Sequence, residues 1–218
     1  MEGKHKYSYE NGIVSFKIII IGKSGSGKTS IITRFIENKF ENKIYTTIVP
    51  CYSQKIIDSN GIQFHANLWD IPGQDRSPIV TRMFAADTHG IIFCCAVDNP
   101  TSRTDLKDWK ESLDSLLDIN TIPKILVENK CDLLGDENNY NDNINSLKQI
   151  SNKLGCLNCF RTSALNGYKI DEALNFLIEE LIKRAKEEGI QMNNKTNLTK
   201  STHKEKNNKN SKNSNKCC

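Results

Sequence analysis

Gly22-Lys-Ser-Gly-Ser-Gly27-Lys28-Thr29 sets glycines, a lysine and a hydroxyl at fixed spacing. It directly follows the apolar run Phe16 to Ile21 and opens a stretch with helical periodicity. That strand–loop–helix setting is what G-x-x-x-x-G-K-[ST] requires. Glycines let successive backbone N–H groups turn inward towards phosphate oxygens. The helix N-terminus adds partial positive charge. Ser24, Gly25, Ser26, Gly27, Lys28, Thr29 and Ser30 are therefore expected around a phosphate chain. Lys28 would reach the outer phosphates, and the Thr29 hydroxyl would coordinate Mg²⁺. The pattern implies a nucleoside triphosphate but not its base, since ATPases and nucleotide kinases share it.

The base is addressed by Asn129-Lys130-Cys131-Asp132, which closes a strand-like run. A carboxylate at Asp132 can accept from guanine N1–H and the exocyclic N2 amine. Adenine offers no such donor pair, so the wrong base would leave a buried charge unpaired. Ser163-Ala164-Leu165 follows the last expected strand, where backbone N–H groups could meet the guanine O6. A third segment, Asp70-Ile-Pro-Gly73-Gln74, ends another strand. Asp70 would hold Mg²⁺ through water, the Gly73 N–H would touch the γ-phosphate, and Gln74 would orient an attacking water.

The elements that must carry these groups are legible as periodicity. Phe16–Ile21, Gly90–Val97 and Ile122–Val127 are continuous apolar runs, the pattern of strands covered on both faces. Pro50–Ile57 and Ile62–Trp69 flank Asn60-Gly61, a strong hairpin signal. Cys156–Thr162 is a last strand. Helical spacing marks Thr29–Asn38, Thr104–Leu117, Ile144–Leu154 and Ile170–Lys183. A short helix is also expected from Pro78 to about Ala86, with Ser77 as its cap. Alternating strands and helices predict an α/β fold: a mainly parallel six-stranded sheet, one strand antiparallel, helices on both faces.

Hydrophobic residues make up 37% of the 218, and they thin out in the last thirty positions. The expected organisation is a polar N-terminal extension over 1–13, one domain over 14–188, and a tail over 189–218 too polar to offset its ordering entropy. The chain's formal charge is +4, yet 190–218 alone holds seven Lys against one Glu. A basic flexible tail beside a lipid site reads as attraction to an anionic membrane surface, about 1 kcal/mol per Lys, rather than as a nucleic-acid patch. No run approaches the ~18 apolar residues of a membrane span. The eight cysteines read as free thiols. Cys156-x-x-Cys159 has metal-like spacing, but no second Cys or His pair completes a site.

The order Gly22–Thr29, Thr47, Trp69–Gln74, Asn129–Asp132 and Thr162–Ala164 resembles Ras-like small GTPases, most closely the Rab branch. The resemblance spans about residues 14 to 186 plus the terminus. It implies a membrane-anchored GTP/GDP switch in vesicle or organelle traffic, with slow GTP hydrolysis at Gln74. It implies that Phe40 stacks on the guanine, Lys130 lies along the base, and Thr47 caps Mg²⁺ and the γ-phosphate. Tyr52, Trp69 and Phe84 match the aromatics that report nucleotide state to effectors. Cys217-Cys218 matches the end that receives two geranylgeranyl groups, and two lipids give stable anchoring where one does not. The implied partners are an exchange factor, an activating protein, effectors, a prenylation escort and a GDP-dissociation inhibitor. The implied location is the cytoplasmic face of an intracellular membrane, cycling with cytosol. Ile71, Trp109 and the Asn166–Glu172 segment are similar to the Rab subgroup of lysosome-related organelles. Departures are concentrated in the switches: Ile48-Val-Pro-Cys-Tyr52 in the first, and Ile71, Pro72, Asp75 and Ser77 in the second. Pro72 and Val49-Pro50 keep a second reading open, a GTP-binding scaffold with little or no hydrolysis.

Overall fold

A computed structural model describes residues 7–10, 13–42, 46–73, 84–116, 118–141 and 144–190. In chain order the elements are β1 (Ser8–Glu10), β2 (Ile13–Ile21), α1 (Lys28–Glu37), β3 (Cys51–Ser59), β4 (Ile62–Asp70), β5 (Gly90–Ala96), α2 (Pro100–Asp114), β6 (Lys124–Asn129), α3 (Ile144–Leu154), β7 (Asn158–Arg161) and α4 (Ile170–Glu187). Short 3-10 turns at Cys131–Leu134 and Glu137–Asn141 follow β6.

The strands form one sheet in the order β3-β4-β2-β5-β6-β7. β2 lies parallel to both β4 and β5, and β5–β6–β7 continue parallel. β3 is antiparallel to β4, as the Asn60-Gly61 turn predicts. One feature exceeds the six-strand expectation. Ser8–Glu10 pairs antiparallel with Ser15–Ile13, giving seven strands among the described residues. Tyr7 explains the pairing energetically. Its ring stacks on His89 at 5.1 Å and meets Phe16 edge-on at 5.9 Å, so the segment half-buries an aromatic.

β2 shows why both faces need helices. Phe16, Ile18 and Ile20 enter one core with Ile31 and Phe35 of α1 and Leu174, Leu177 and Ile178 of α4. Ile19 and Ile21 enter the other with Leu106, Trp109 and Leu113 of α2 and Leu147 of α3. The period of two along a strand sends alternate side chains to opposite layers. α2 begins at Pro100, before the expected Thr104, because Pro at the first helical turn has no N–H to leave unpaired. α4 runs on to Glu187 because its apolar stripe continues through Ala185.

Candidate functional site

The functional segments gather at the carboxyl ends of the parallel strands, where open α/β sheets bind ligands. The phosphate loop leaves β2, Asp70 ends β4, Asn129 ends β6, and Thr162-Ser163-Ala164 follows β7. A cleft of about 340 Å³ opens at this end of the sheet; Asp70, Asn129, Asp132 and residues 163–165 are not among its lining residues. Ser24, Gly25, Gly27, Lys28, Thr29 and Ser30 line it, joined by Phe40, Thr47, Gly73 and Lys130. Ser26 lies behind the lining, buried. Glu41, Asn42 and Thr46 also face the cleft; no motif marks them in the sequence.

Gly27 adopts φ 89°, and a Cβ there would fall 2.2 Å from Asn129 Nδ2. Gly73 is as tightly held: a Cβ would sit 2.3 Å from the Ser24 nitrogen. Only glycine lets the Asp70 strand end approach the phosphate loop so closely. Lys28 Nζ donates to the carbonyls of Gly22 at 2.9 Å and Lys23 at 3.1 Å. Burial holds its pKa below the ordinary lysine value, with Cys94 and Asp70 opposing.

Three oxygen donors from distant segments converge. Thr29 Oγ1 donates to Asp70 Oδ2 at 2.5 Å and lies 3.0 Å from Thr47 Oγ1, which is 3.1 Å from the same carboxylate oxygen. Asp70 Oδ1 is buried with no hydrogen-bond partner among the described residues. Burial raises the Asp70 pKa, while the Thr29 hydrogen bond and Lys28 oppose the shift. Two hydroxyls and one carboxylate, one of whose oxygens is orphaned, form a hard, all-oxygen set, which fits Mg²⁺. Bound there, Mg²⁺ would neutralise charge developing on the outer phosphates.

At the base end Asn129 is buried, and its amide acts as a bridge. Nδ2 donates to Ser26 O at 3.1 Å, and Oδ1 accepts from Ala164 N at 3.1 Å. One side chain thus ties the phosphate loop to the 163–165 loop. Asp132 is half-buried and accepts from Ser163 Oγ. Lys130, at φ 66°, pairs with Asp98 at 2.8 Å. Ala164 is buried, whereas Leu165 is 49% exposed. Arg34 was not anticipated. From α1 its Nε donates to Ala164 O at 2.8 Å and its Nη2 to Leu165 O at 2.7 Å, holding the same loop from behind.

Tyr52 and Trp69 stack at 5.2 Å, and Phe84 tilts against Trp69 at 5.8 Å. Lys17 Nζ lies 5.0 Å from the Trp69 ring centre. Tyr52 is 50% exposed, so the aromatic row opens to solvent at the β3 edge. Gln74, Ser77, Pro78, Cys217 and Cys218 lie outside the described residues, as does most of the helix expected after Pro78. Pro72 is described and buried. Among the described residues no helix is long and apolar enough to cross a membrane.

A profile of the Ras family matches residues 17–183. Rab-32C of Dictyostelium discoideum is 31% identical over 94% of this chain and 88% of its own length. Pig (Sus scrofa) Rab-32 is 32% identical over 77% of this chain and 74% of its own. Human (Homo sapiens) Rab-7L1 is 27% identical over 79% and 85%. With the phosphate loop, the oxygen triad and the guanine motif gathered at one end of the sheet, the chain belongs to the Ras family, in its Rab branch: a GTP-hydrolysing nucleotide switch of membrane traffic.

Proposed function

We propose that this chain is a doubly lipidated Rab whose GTP·Mg²⁺ state is built by Thr29, Thr47 and Asp70 and discharged by Gln74. The observation that carries this reading is the convergence of those three oxygen donors within 3.1 Å. Thr47 comes from a segment separate from the other two, so it can leave while Thr29 and Asp70 stay paired. Loss of the γ-phosphate releases it, and the switch segments then differ between states. Phe40 and Lys130 flank the base, Asp132 reads its N1–H and N2 amine, and Ser163, Ala164 and Leu165 offer backbone donors. Gln74 orients the attacking water. No arginine of the switch sequences obviously occupies the charge-stabilising role, so an activating protein would supply one in trans, worth about 10³–10⁵ in rate.

Effectors would read the Tyr52–Trp69–Phe84 row, whose stacking and exposure support that role. An exchange factor, a prenylation escort and a GDP-dissociation inhibitor complete the cycle expected of a Rab. Cys217 and Cys218 carry the lipids, the basic 189–218 tail adds attraction to an anionic leaflet, and the domain works on the cytoplasmic face of an organelle. Ile71, Trp109 and the Asn166–Glu172 segment, with the likeness to Rab-32 proteins, support the subgroup of lysosome-related organelles.

A second reading, a scaffold that binds GTP but barely hydrolyses it, draws on Pro72 beside the tightly packed Gly73. Single-turnover GTP hydrolysis, with and without an activating protein, separates the two. The switch reading expects slow release of phosphate, accelerated by the activator and slowed roughly 10²-fold by Gln74→Leu. No phosphate release even with the activator establishes the scaffold instead.

A further inference from the structure

Glu128 lies on β6 one residue before Asn129, and its side chain is 0% exposed. Two guanidinium groups close on its carboxylate. Arg161 Nε, from the end of β7, donates to Oε2 at 2.8 Å and is itself 5% exposed. Arg103 Nε, from α2, donates to Oε1. Glu128 and Arg161 are also direct partners in the β6–β7 register. The network continues: Arg161 Nη1 donates to Tyr140 O at 3.0 Å, and the Tyr140 hydroxyl accepts from Asn166 Nδ2 at 3.4 Å.

A cluster of this kind is poor evidence for stability. Desolvating the charges offsets much of their attraction, and apolar replacements of similar volume are often as stable. What it does fix is geometry: each guanidinium gives the carboxylate one charge-assisted Nε bond, and the same rigid plane of Arg161 also holds the Tyr140 carbonyl. The geometry at stake is local. Glu128 leads into Asn129-Lys130-Cys131-Asp132, and Arg161 leads into Thr162-Ser163-Ala164. α2 extends the hold, because its first turns also grip the phosphate loop: Lys23 Nζ donates to Thr101 Oγ1 at 2.6 Å and pairs with Asp105 at 3.2 Å.

We infer that the Arg103–Glu128–Arg161 cluster is a positioning device for base recognition, setting Asp132 against the 163–165 loop so that guanine is held by both. These are positioning residues, since they act through Asp132 and the loop and do not touch the nucleotide. The inference rests on the reading of Asp132 as the guanine acceptor.

The test uses the full-length protein and two nucleotides, GDP and IDP. Inosine lacks the exocyclic amine that Asp132 would read, so the wild-type chain releases IDP faster than GDP. A wild-type chain that releases both alike refutes the guanine reading itself, before any variant is considered. The variants are the apolar triple Arg103→Met, Glu128→Leu, Arg161→Met, and the single Arg161→Lys, which keeps the charge but loses the planar group that bonds Glu128 and the Tyr140 carbonyl together. The expected result is an unfolding temperature within about 5 °C of wild type together with GDP release faster by on the order of tenfold, about 1.4 kcal/mol. IDP release changes less, so the ratio of the two rates falls towards one. Unchanged GDP release in a folded variant overturns the proposal. So does equal acceleration of both nucleotides, which is what a merely structural fault produces. If the triple fails to fold, Arg161→Lys decides by the same ratio.

Discussion

Thr29 Oγ1 donates to Asp70 Oδ2 at 2.5 Å, and Thr47 shares that same oxygen, while the other oxygen of the carboxylate is buried without a partner among the described residues. A carboxylate so lopsided in its bonding is suited to a cation. Asp70→Asn keeps the shape and removes the charge. Nucleotide affinity in the presence of Mg²⁺ is expected to fall roughly 10–100-fold, the usual scale for disturbing a metal's ligand shell. Affinity in a chelator is expected to change little. Titrations of GDP with and without Mg²⁺ measure both, and an unaltered Mg²⁺ response would remove Asp70 from the metal site.

Trp109 gives a stability prediction with an internal control. Its ring is buried in the core beneath α2, and its indole N–H has no hydrogen-bond partner among the described residues. Trp109→Ala opens a large cavity and is expected to cost about 3–5 kcal/mol. Trp109→Phe removes the orphaned donor along with part of the ring, and an unsatisfied buried donor costs about 1–3 kcal/mol. The two effects of Trp109→Phe oppose each other, so it is expected to be far milder than Trp109→Ala. Denaturant unfolding of the two variants compares them, and equal losses would contradict the orphaned donor.

The described cysteines make a chemical prediction. Burial pushes the Cys94 thiol up to about 11 and the Cys131 and Cys156 thiols up to about 12. At pH 8 their thiolate fractions are about 10⁻³ or less, so iodoacetamide should modify them only after unfolding. Each folded value lies above the ordinary 9.0. Their contribution to stability is therefore whole below about pH 9 and is lost as pH rises towards 11 and 12. Peptide mapping after native and denatured labelling reads the first expectation; alkaline unfolding curves read the second.

The lipid anchor is tested at Cys217 and Cys218. Changing both to Ser should move the chain from membranes to cytosol in cell fractionation. Changing one should leave weaker, reversible association, because a single chain anchors marginally. Membrane retention by the double variant would refute lipid anchoring at these residues.

The nucleotide motifs were readable because each is local: Gly22–Thr29, Asp70–Gly73 and Asn129–Asp132 combine residue type, spacing and a strand end within a few positions. The β3–β4 hairpin was readable from Asn60-Gly61 for the same reason. Asn11-Gly12 carried the same signal ahead of β2, yet the polar composition around it masked the strand at Ser8–Glu10. Arg34, Glu128 and Arg161 were not readable. Arg34 meets Ala164 across 130 positions and Glu128 meets Arg161 across 33. Nothing in their neighbourhoods marks them as supports, because the register and packing that join them exist only in the folded sheet. Asn129 was visible as part of a base motif, but its bridging between Ser26 and Ala164 required the loops to be in place.

Pro50 and Pro72 flank the β3–β4 hairpin, one just before Cys51 and the other two residues after Asp70, and Cys51 and Asp70 face each other in register. Neither proline has an N–H to lend to a ladder. Ile71 gives its N–H to Ile20 O on β2, so it is Pro72, next along, that has no donor to offer β3. The β3–β4 ladder thus meets a donor-free residue just before Gly73, the glycine packed against the phosphate loop. The proline that sits oddly in the second switch becomes an end stop, marking where the ladder's donors run out, one residue ahead of Gly73.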